Sequence, residues 1–143
     1  MDGAPTHPTR RYPVLVDLDG AHCLVVGGGP VAERRVSGLL DAGARVTVVA
    51  PHLTAGLQAR GEGGHLRILA EPFGPALLEP ERGRTWRLVV AATADRSVNA
   101  EVVRLASGLG LWVNDASDPT GGPVAVPAVA RARSVAPRPS RRN

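Results

Sequence analysis

Residues 22–32, H-C-L-V-V-G-G-G-P-V-A, constrain this chain more than any other stretch. A short apolar run, Leu24, Val25 and Val26, enters three consecutive glycines, and a helical pattern begins at once. Gly27, Gly29 and Ala32 stand at G-x-G-x-x-A spacing, that of a strand–turn–helix that receives a dinucleotide. Each small residue meets a separate need. Gly27 permits the tight turn, Gly29 lets backbone approach a pyrophosphate, and Ala32 lets the new helix pack close to the strand it left. The N–H groups at the helix start then face the phosphates, where the macrodipole favours negative charge. A glycine-rich connector without a ligand is the alternative reading. The strand before the turn and the helix after it weigh against it.

The chain beyond the turn keeps the same alternation. Pro30 falls near the first helical position, where its missing N–H does little harm. Ala32, Val36, Leu39, Leu40 and Gly43 follow the rhythm of one helical face, with Glu33, Arg34, Arg35 and Asp41 opposite. Gly43 suits the C′ position that ends the helix. Further strands are predicted at 45–50, 65–71, 87–92 and 111–114, and an earlier short one at 12–18 before the Asp19-Gly20 turn. A short helix is expected over 53–60 and one helical turn at 76–78. A longer helix places Val98, Val102, Leu105, Ala106 and Leu109 on one face. Strands alternating with amphipathic helices predict an α/β fold, a Rossmann-like doubly wound parallel sheet. Strands that are nearly all apolar fit a sheet covered on both faces.

At 143 residues the chain suits one domain of ordinary size. Residues 1–11 read as a loose lead-in and 12–116 as the dinucleotide-binding domain. Residues 117–130 read as the remnant of a substrate or dimerisation segment, and 131–143 as a basic, disordered tail. Only 3% of residues are aromatic, so Val, Leu and Ala must fill the core. All 17 basic residues are Arg, which rules out Schiff-base lysine chemistry and a P-loop. The single Cys23 lies in a predicted strand and reads as a buried, inert thiol. Residues 131–143 carry five Arg and no acid, whereas 12–130 carry a net charge of −2. The tail has no interleaved aromatics to stack bases, so no nucleic-acid partner is expected. No apolar run reaches the ~20 residues of a membrane span, and no secretory signal is evident. No membrane association is expected, and the cytoplasm is the expected compartment.

Two features narrow the chemistry. An NAD site ordinarily carries an acidic residue about 20 positions beyond its first glycines, on the ribose hydroxyls. Here residues 47–52 hold no Asp or Glu, so the adenosine must be held by packing and backbone. NADP stays open, since His52 or an Arg suits a 2′-phosphate. The four His do not pair at metal-ligand spacing, and no resident metal is expected. Chemistry is expected at the carboxyl ends of two strands, Thr93 to Asp95 and Asn114 to Pro119. Asp95 reads either as a helix cap or as a reactive group, and Asp118 either as an Asx-turn or as a catalytic carboxylate.

The runs Y-P-V-L-V-D-L-D-G, H-C-L-V-V-G-G-G-P-V-A-E-R-R, G-L-L-D-A-G-A-R-V-T-V-V-A-P, L-V-V-A-A-T-A-D-R-S-V-N, V-N-D-A-S-D-P and P-A-V resemble the sirohaem synthase N-terminal family. That resemblance covers roughly residues 12–130 in order and spacing. It implies an NAD-dependent precorrin-2 dehydrogenase that yields sirohydrochlorin, usually with ferrochelatase activity that takes ferrous iron as substrate. It also implies a homodimer. It places Pro30 and Val31 on the pyrophosphate turn and Pro51 and His52 beside the adenosine. The cofactor set is then Gly27, Gly28, Gly29, Pro30, Val31, Pro51, His52 and Thr93. Ser117 falls at the family's general-base position and Asp118 one residue on. A serine hydroxyl is a poor base without a partner, so the resemblance puts catalysis on Asp118 with Ser117 beside it. Family members continue with a dimerisation domain, where this sequence has its Arg- and Pro-rich tail. A shortened module with a truncated dimerisation segment is therefore expected. The competing reading is a non-catalytic dinucleotide-binding or regulatory module derived from the same family.

Overall fold

In the computed structural model, residues 10–80, 85–118 and 120–127 are described. Five strands form one all-parallel sheet: β1 (His22–Val26), β2 (Arg45–Val49), β3 (Arg67–Leu69), β4 (Leu88–Ala91) and β5 (Val113–Asp115). The connections hold helices α1 (Pro30–Asp41), α2 (Ala55–Glu62) and α3 (Arg96–Gly108), and a 3₁₀ turn at Pro75–Leu78. The strand order is β3-β2-β1-β4-β5. The chain runs outward from β1 to β3, then crosses back over β1 to β4. Val26 at the end of β1 accordingly pairs with both Val49 and Ala91. The order reverses between β1 and β4, where the loops leaving the two strands diverge and open a crevice.

Burial on both faces explains why the central strands lack alternation. Cys23 and Val25 face one side of the sheet with Val46, Val48 and Val90, against Ala32, Val36 and Leu39 of α1 and Leu57 of α2. Leu24, Val26, Val89 and Ala91 face the other, against Val102 and Ala106 of α3 and Leu78 of the 3₁₀ turn. Successive side chains point to opposite faces, so a strand covered twice must be apolar throughout. Fully burying each Val or Leu contributes about 1.5–3 kcal/mol. With few aromatics, close approach of small side chains makes this core.

The ends of α1 follow the sequence closely. Pro30 opens it, and Gly43, at φ +82°, closes it. The Ala44 N–H donates to the Leu39 carbonyl at 3.0 Å and the Gly43 N–H to Leu40 at 2.9 Å. That is a Schellman closure needing a left-handed residue at Gly43. Thr54 caps α2 through the Leu57 N–H at 3.2 Å, and Asp95 caps α3. Of the two readings for Asp95, the cap is the one observed. The Ser97 hydroxyl, with the Ser97 and Val98 N–H groups, holds its carboxyl below the usual range.

Several sequence expectations shift. Residues 12–18 form no strand: the segment has no ladder partner, and Tyr12 and Leu15 stand exposed. A short apolar run becomes a strand only where a neighbour supplies hydrogen bonds. The Arg11 guanidinium instead donates to the Gly122 and Pro123 carbonyls at 2.7 and 3.2 Å. Leu109 lies past the end of α3 and is exposed. The third strand is cut to three residues, and β5 begins at Val113. The tail at 131–143, residues 128–130, Pro119 and most of the lead-in at 1–11 lie outside the described residues. No helix among the described residues is long and apolar enough to cross a membrane.

Cys23 is wholly buried, and that desolvation pushes its thiol up to about 11. The nearby Leu88 backbone bond and Arg87 offset the effect only in part. The thiol therefore stays protonated at pH 8, and the nucleophilic thiolate is scarce. We expect native protein to resist a chromogenic disulfide reagent at pH 8, and one thiol to titrate after unfolding in guanidinium. Rapid labelling of native protein would contradict this burial.

Candidate functional site

The three glycines hold three different places. Gly27 has φ +133°, and a Cβ there would fall on the Ala92 carbonyl oxygen. Its N–H donates to the Val49 carbonyl at 3.0 Å. The turn is thus pressed between the ends of β2 and β4. At Gly28 a Cβ would fall on the His52 carbonyl oxygen. The Gly28 carbonyl accepts the Thr54 N–H at 2.9 Å, so the loop after β2 lies directly on the turn. Thr54 continues the tie by donating its hydroxyl to Glu33 Oε1 at 2.7 Å. Gly29 differs. Its φ of −90° suits any residue, and nothing stands within 4 Å of its Cβ position. The open space lies on the ligand side.

The start of α1 has no side-chain cap, whereas α2 and α3 each have one. A capping side chain at Gly29 would occupy the space in front of the first-turn N–H groups, which remain free for an anion. A cavity of about 470 Å³ opens there. Gly27, Gly28, Gly29, Pro30 and Val31 form its floor, and Pro51, His52 and Thr93 its sides. All eight predicted cofactor residues therefore line one cavity. Spacing alone missed Pro72 and Phe73 on the β3 side and Ala94 and Val98 on the β4 side. They follow from topology, because ligand crevices lie beyond the carboxyl ends of the strands. His52 is the only ionisable residue in the lining, among the described residues. The glycine turn, the uncapped helix and the apolar walls fit a dinucleotide held by backbone and packing. A larger hollow, about 980 Å³, lies between Arg45, Arg67 and Trp86. It lacks the glycine turn and lies away from the β1–β4 crevice.

The loop after β5 adjoins this cavity without lining it. Ala116 donates its N–H to the Ala91 carbonyl at 2.8 Å, which fastens the loop to the end of β4. Asn114 donates to the Gly121 and Val124 carbonyls at 3.3 and 2.8 Å. Its own side-chain oxygen is buried without a partner among the described residues. Asp118 is exposed, and its carboxylate accepts the Thr120 N–H at 2.9 Å and the Thr120 hydroxyl at 2.8 Å. Those bonds hold its pKa below the usual range, which makes it a weaker base. The Asx-turn reading of Asp118 is therefore the one seen in the geometry. Ser117 is half-buried. It donates to Asp115 Oδ1 at 2.6 Å and accepts from Asn99 Nδ2 at 3.2 Å. Asn99, wholly buried on α3, also bonds Thr93. The helical pattern of apolar residues gave no signal for it.

A family described as "Putative NAD(P)-binding" matches residues 14–128. The chain is 44% identical over 117 residues to "Siroheme synthase 1" of Aeromonas salmonicida (strain A449), covering 82% of this chain and 24% of that protein. It is 42% identical over 107 residues to "Siroheme synthase" of Neisseria meningitidis serogroup C, covering 75% of this chain and 21% of that protein. Among solved structures it is similar to "SirC, precorrin-2 dehydrogenase", with TM-score 0.70 and 36% identity. That match covers 82% of this chain and 55% of the other. The chain thus spans about a quarter of the length of these curated relatives. The β1 glycine turn, the parallel sheet around it and the match over 14–128 together make the chain a member of the NAD(P)-binding family found in the N-terminal part of sirohaem synthases.

Proposed function

We propose that the chain catalyses NAD-dependent dehydrogenation of precorrin-2 to sirohydrochlorin, within the cytoplasm. The observation that carries this reading is the convergence of all eight predicted cofactor residues on one cavity at the β1–β4 crevice. The similarity to a protein named as a precorrin-2 dehydrogenase supports the substrate. On this reading residues 12–116 make up the cofactor domain, and 117–130 are the remnant of a substrate or dimerisation segment. Ferrous iron as a second substrate and a homodimer belong to the same reading.

Oxidised nicotinamide, when bound, supplies a two-electron acceptor for hydride. The chain's own residues do the rest. The α1 N–H groups and Gly29 take the pyrophosphate, and Pro51, His52 and Phe73 pack the adenosine end. Thr93 and Ala94 border the opposite end, next to the β5 loop. That loop, which carries Asp115, Ser117 and Asp118, receives the proton that must leave when the hydride leaves. A general base acts within hydrogen-bond reach or through one water, and the β5 loop is joined to the cavity wall through Asn99. A dinucleotide-binding module without turnover is the second reading. It is favoured by one observation, that neither Ser117 nor Asp118 lines the cavity. Conversion of precorrin-2 and NAD⁺ to sirohydrochlorin by purified chain, followed by absorbance, separates the two.

The glycines give a sharper test. Gly29→Val puts a branched side chain into space that no protein atom fills. Far-UV circular dichroism and melting should stay unchanged, while NAD⁺ affinity falls at least tenfold, about 1.4 kcal/mol. Gly28→Ala drives a methyl group into the His52 carbonyl, so it should lower the melting temperature as well as the affinity. Unaltered NAD⁺ affinity in Gly29→Val by calorimetry would remove the pyrophosphate from this turn.

Cofactor choice is the second test. The lining has neither a ribose-binding carboxylate nor an Arg among the described residues. Discrimination should be modest, with NAD⁺ bound more tightly than NADP⁺. Tighter binding of NADP⁺ in the same titration would assign the 2′-phosphate to His52 and overturn the preference.

A further inference from the structure

Asn99 has no role in the scheme above beyond joining two loops, yet its bonds define more. It is 0% exposed on α3, and a buried amide must use its donors and acceptors or lose their solvation. Asn99 uses all of them. Its Oδ1 accepts the Thr93 N–H at 3.0 Å and the Thr93 hydroxyl at 2.7 Å. Its Nδ2 donates to the Thr93 carbonyl at 3.0 Å and to Ser117 Oγ at 3.2 Å. The Thr93 backbone, with one N–H and one carbonyl, fixes which end of the amide is oxygen.

That assignment fixes the serine. A hydroxyl has one proton to donate and two lone pairs. Ser117 Oγ receives an N–H from Asn99, so its own proton lies on the 2.6 Å bond to Asp115 Oδ1. One lone pair remains. Two other turns of this chain have the same Asp-x-Ser/Thr form. Asp95 accepts the Ser97 hydroxyl at 2.6 Å, and Asp118 the Thr120 hydroxyl at 2.8 Å. Among the described residues, neither of those hydroxyls also receives a bond from a buried amide. Asp115 itself ends β5 in register with Ala91, one residue before the Ala92–Thr93 wall of the cavity. The pair therefore stands one amide behind the cofactor cavity, and its geometry is fixed from the cofactor side.

We propose that Asp115, reached through the Ser117 hydroxyl that Asn99 orients, is the terminal proton acceptor of the dehydrogenation. The proposal rests on the dehydrogenase reading given above. As hydride leaves the substrate for oxidised nicotinamide, the accompanying substrate proton passes to the free lone pair of Ser117 Oγ. The Ser117 proton moves at the same time to Asp115 Oδ1, so the serine ends unchanged and the carboxylate ends protonated. The substrate loses two electrons and two hydrogens, and the nicotinamide is reduced. Asn99 is a positioning residue: it keeps the serine proton turned towards Asp115.

The test is steady-state turnover of precorrin-2 with NAD⁺ by the full chain, with NAD⁺ affinity measured separately by calorimetry. Asp115→Asn and Ser117→Ala should each lower kcat by about 10²-fold or more, the usual order for acid–base groups, with NAD⁺ affinity kept. Ser117→Thr should restore turnover, because it restores the hydroxyl. Asn99→Asp removes the donor to Ser117 and should lower kcat while KM holds. Glu101→Gln, on the exposed side of α3, is the unchanged control. Turnover kept in Asp115→Asn, or lost in Asp118→Asn alone, overturns the relay and leaves the dehydrogenase reading standing. Wild-type chain that binds NAD⁺ but does not turn over precorrin-2 overturns both. If Asp115→Asn does not fold, the contrast between Ser117→Ala and Ser117→Thr decides: equal activities overturn the relay.

Discussion

Everything at the ligand edge depends on one steric fact, that three chain segments meet where no side chain is present. Gly27 is pressed against the end of β4 and Gly28 against the loop after β2. Any Cβ at either position would displace backbone rather than the tip of a flexible side chain. At Gly27 the backbone angle adds a penalty, since φ +133° is a conformation L side chains rarely adopt, worth about 1–3 kcal/mol. The consequence reaches beyond the turn. Because the loop carrying Pro51 and His52 rests on Gly28, the walls of the cavity are located by the same contacts that form its floor.

The same economy explains how the site manages without the usual carboxylate. An Asp or Glu on the ribose gives specificity through two charge-assisted bonds. Here the end of β2 is Ala50, Pro51 and His52, with Phe73 from the segment after β3. Holding by shape and backbone demands that the walls be rigid. The Thr54 bonds to Gly28 and Glu33 supply that rigidity from behind the cavity. Polar chemistry is concentrated instead on the far side, in the Thr93–Asn99–Ser117–Asp115 chain. A low-dielectric surrounding strengthens such a chain when every member is satisfied.

The sequence made the frame legible wherever one local rule matched one structural need. Pro30, the Ala32–Val36–Leu39 face and Gly43 bound α1 because caps and periodicity act within a few residues of chain. Likewise, the glycines that line the cavity were legible from a spacing that dictates backbone approach. Asn99 was not, because a count of apolar residues along a helix skips a buried amide whose partners lie in two other loops. Phe73 was not, because it stands in an aperiodic stretch and gains meaning only from the position of β3 in the sheet. Residues 12–18 misled for the opposite reason: their apolar run is real, but a strand also needs a neighbour. Asp118 and Asp115 differ only in what surrounds them. The family resemblance put catalysis on Asp118, while hydrogen bonding ties it to Thr120.

The Arg11 bond to Gly122 and Pro123 has an architectural meaning. It brings the stretch that leads into β1 and the stretch that leaves β5 to one corner of the sheet. A unit whose two connections share a corner joins a larger protein through a single junction. That corner lies at the carboxyl end of β5, where the Asp115 N–H donates to the Gly121 carbonyl at 2.8 Å, on the edge of the sheet where the glycine crevice opens. Curated relatives roughly four times as long contain this same unit. One arginine side chain, holding two carbonyls, thus ties the lead into β1 to the ligand edge of the sheet.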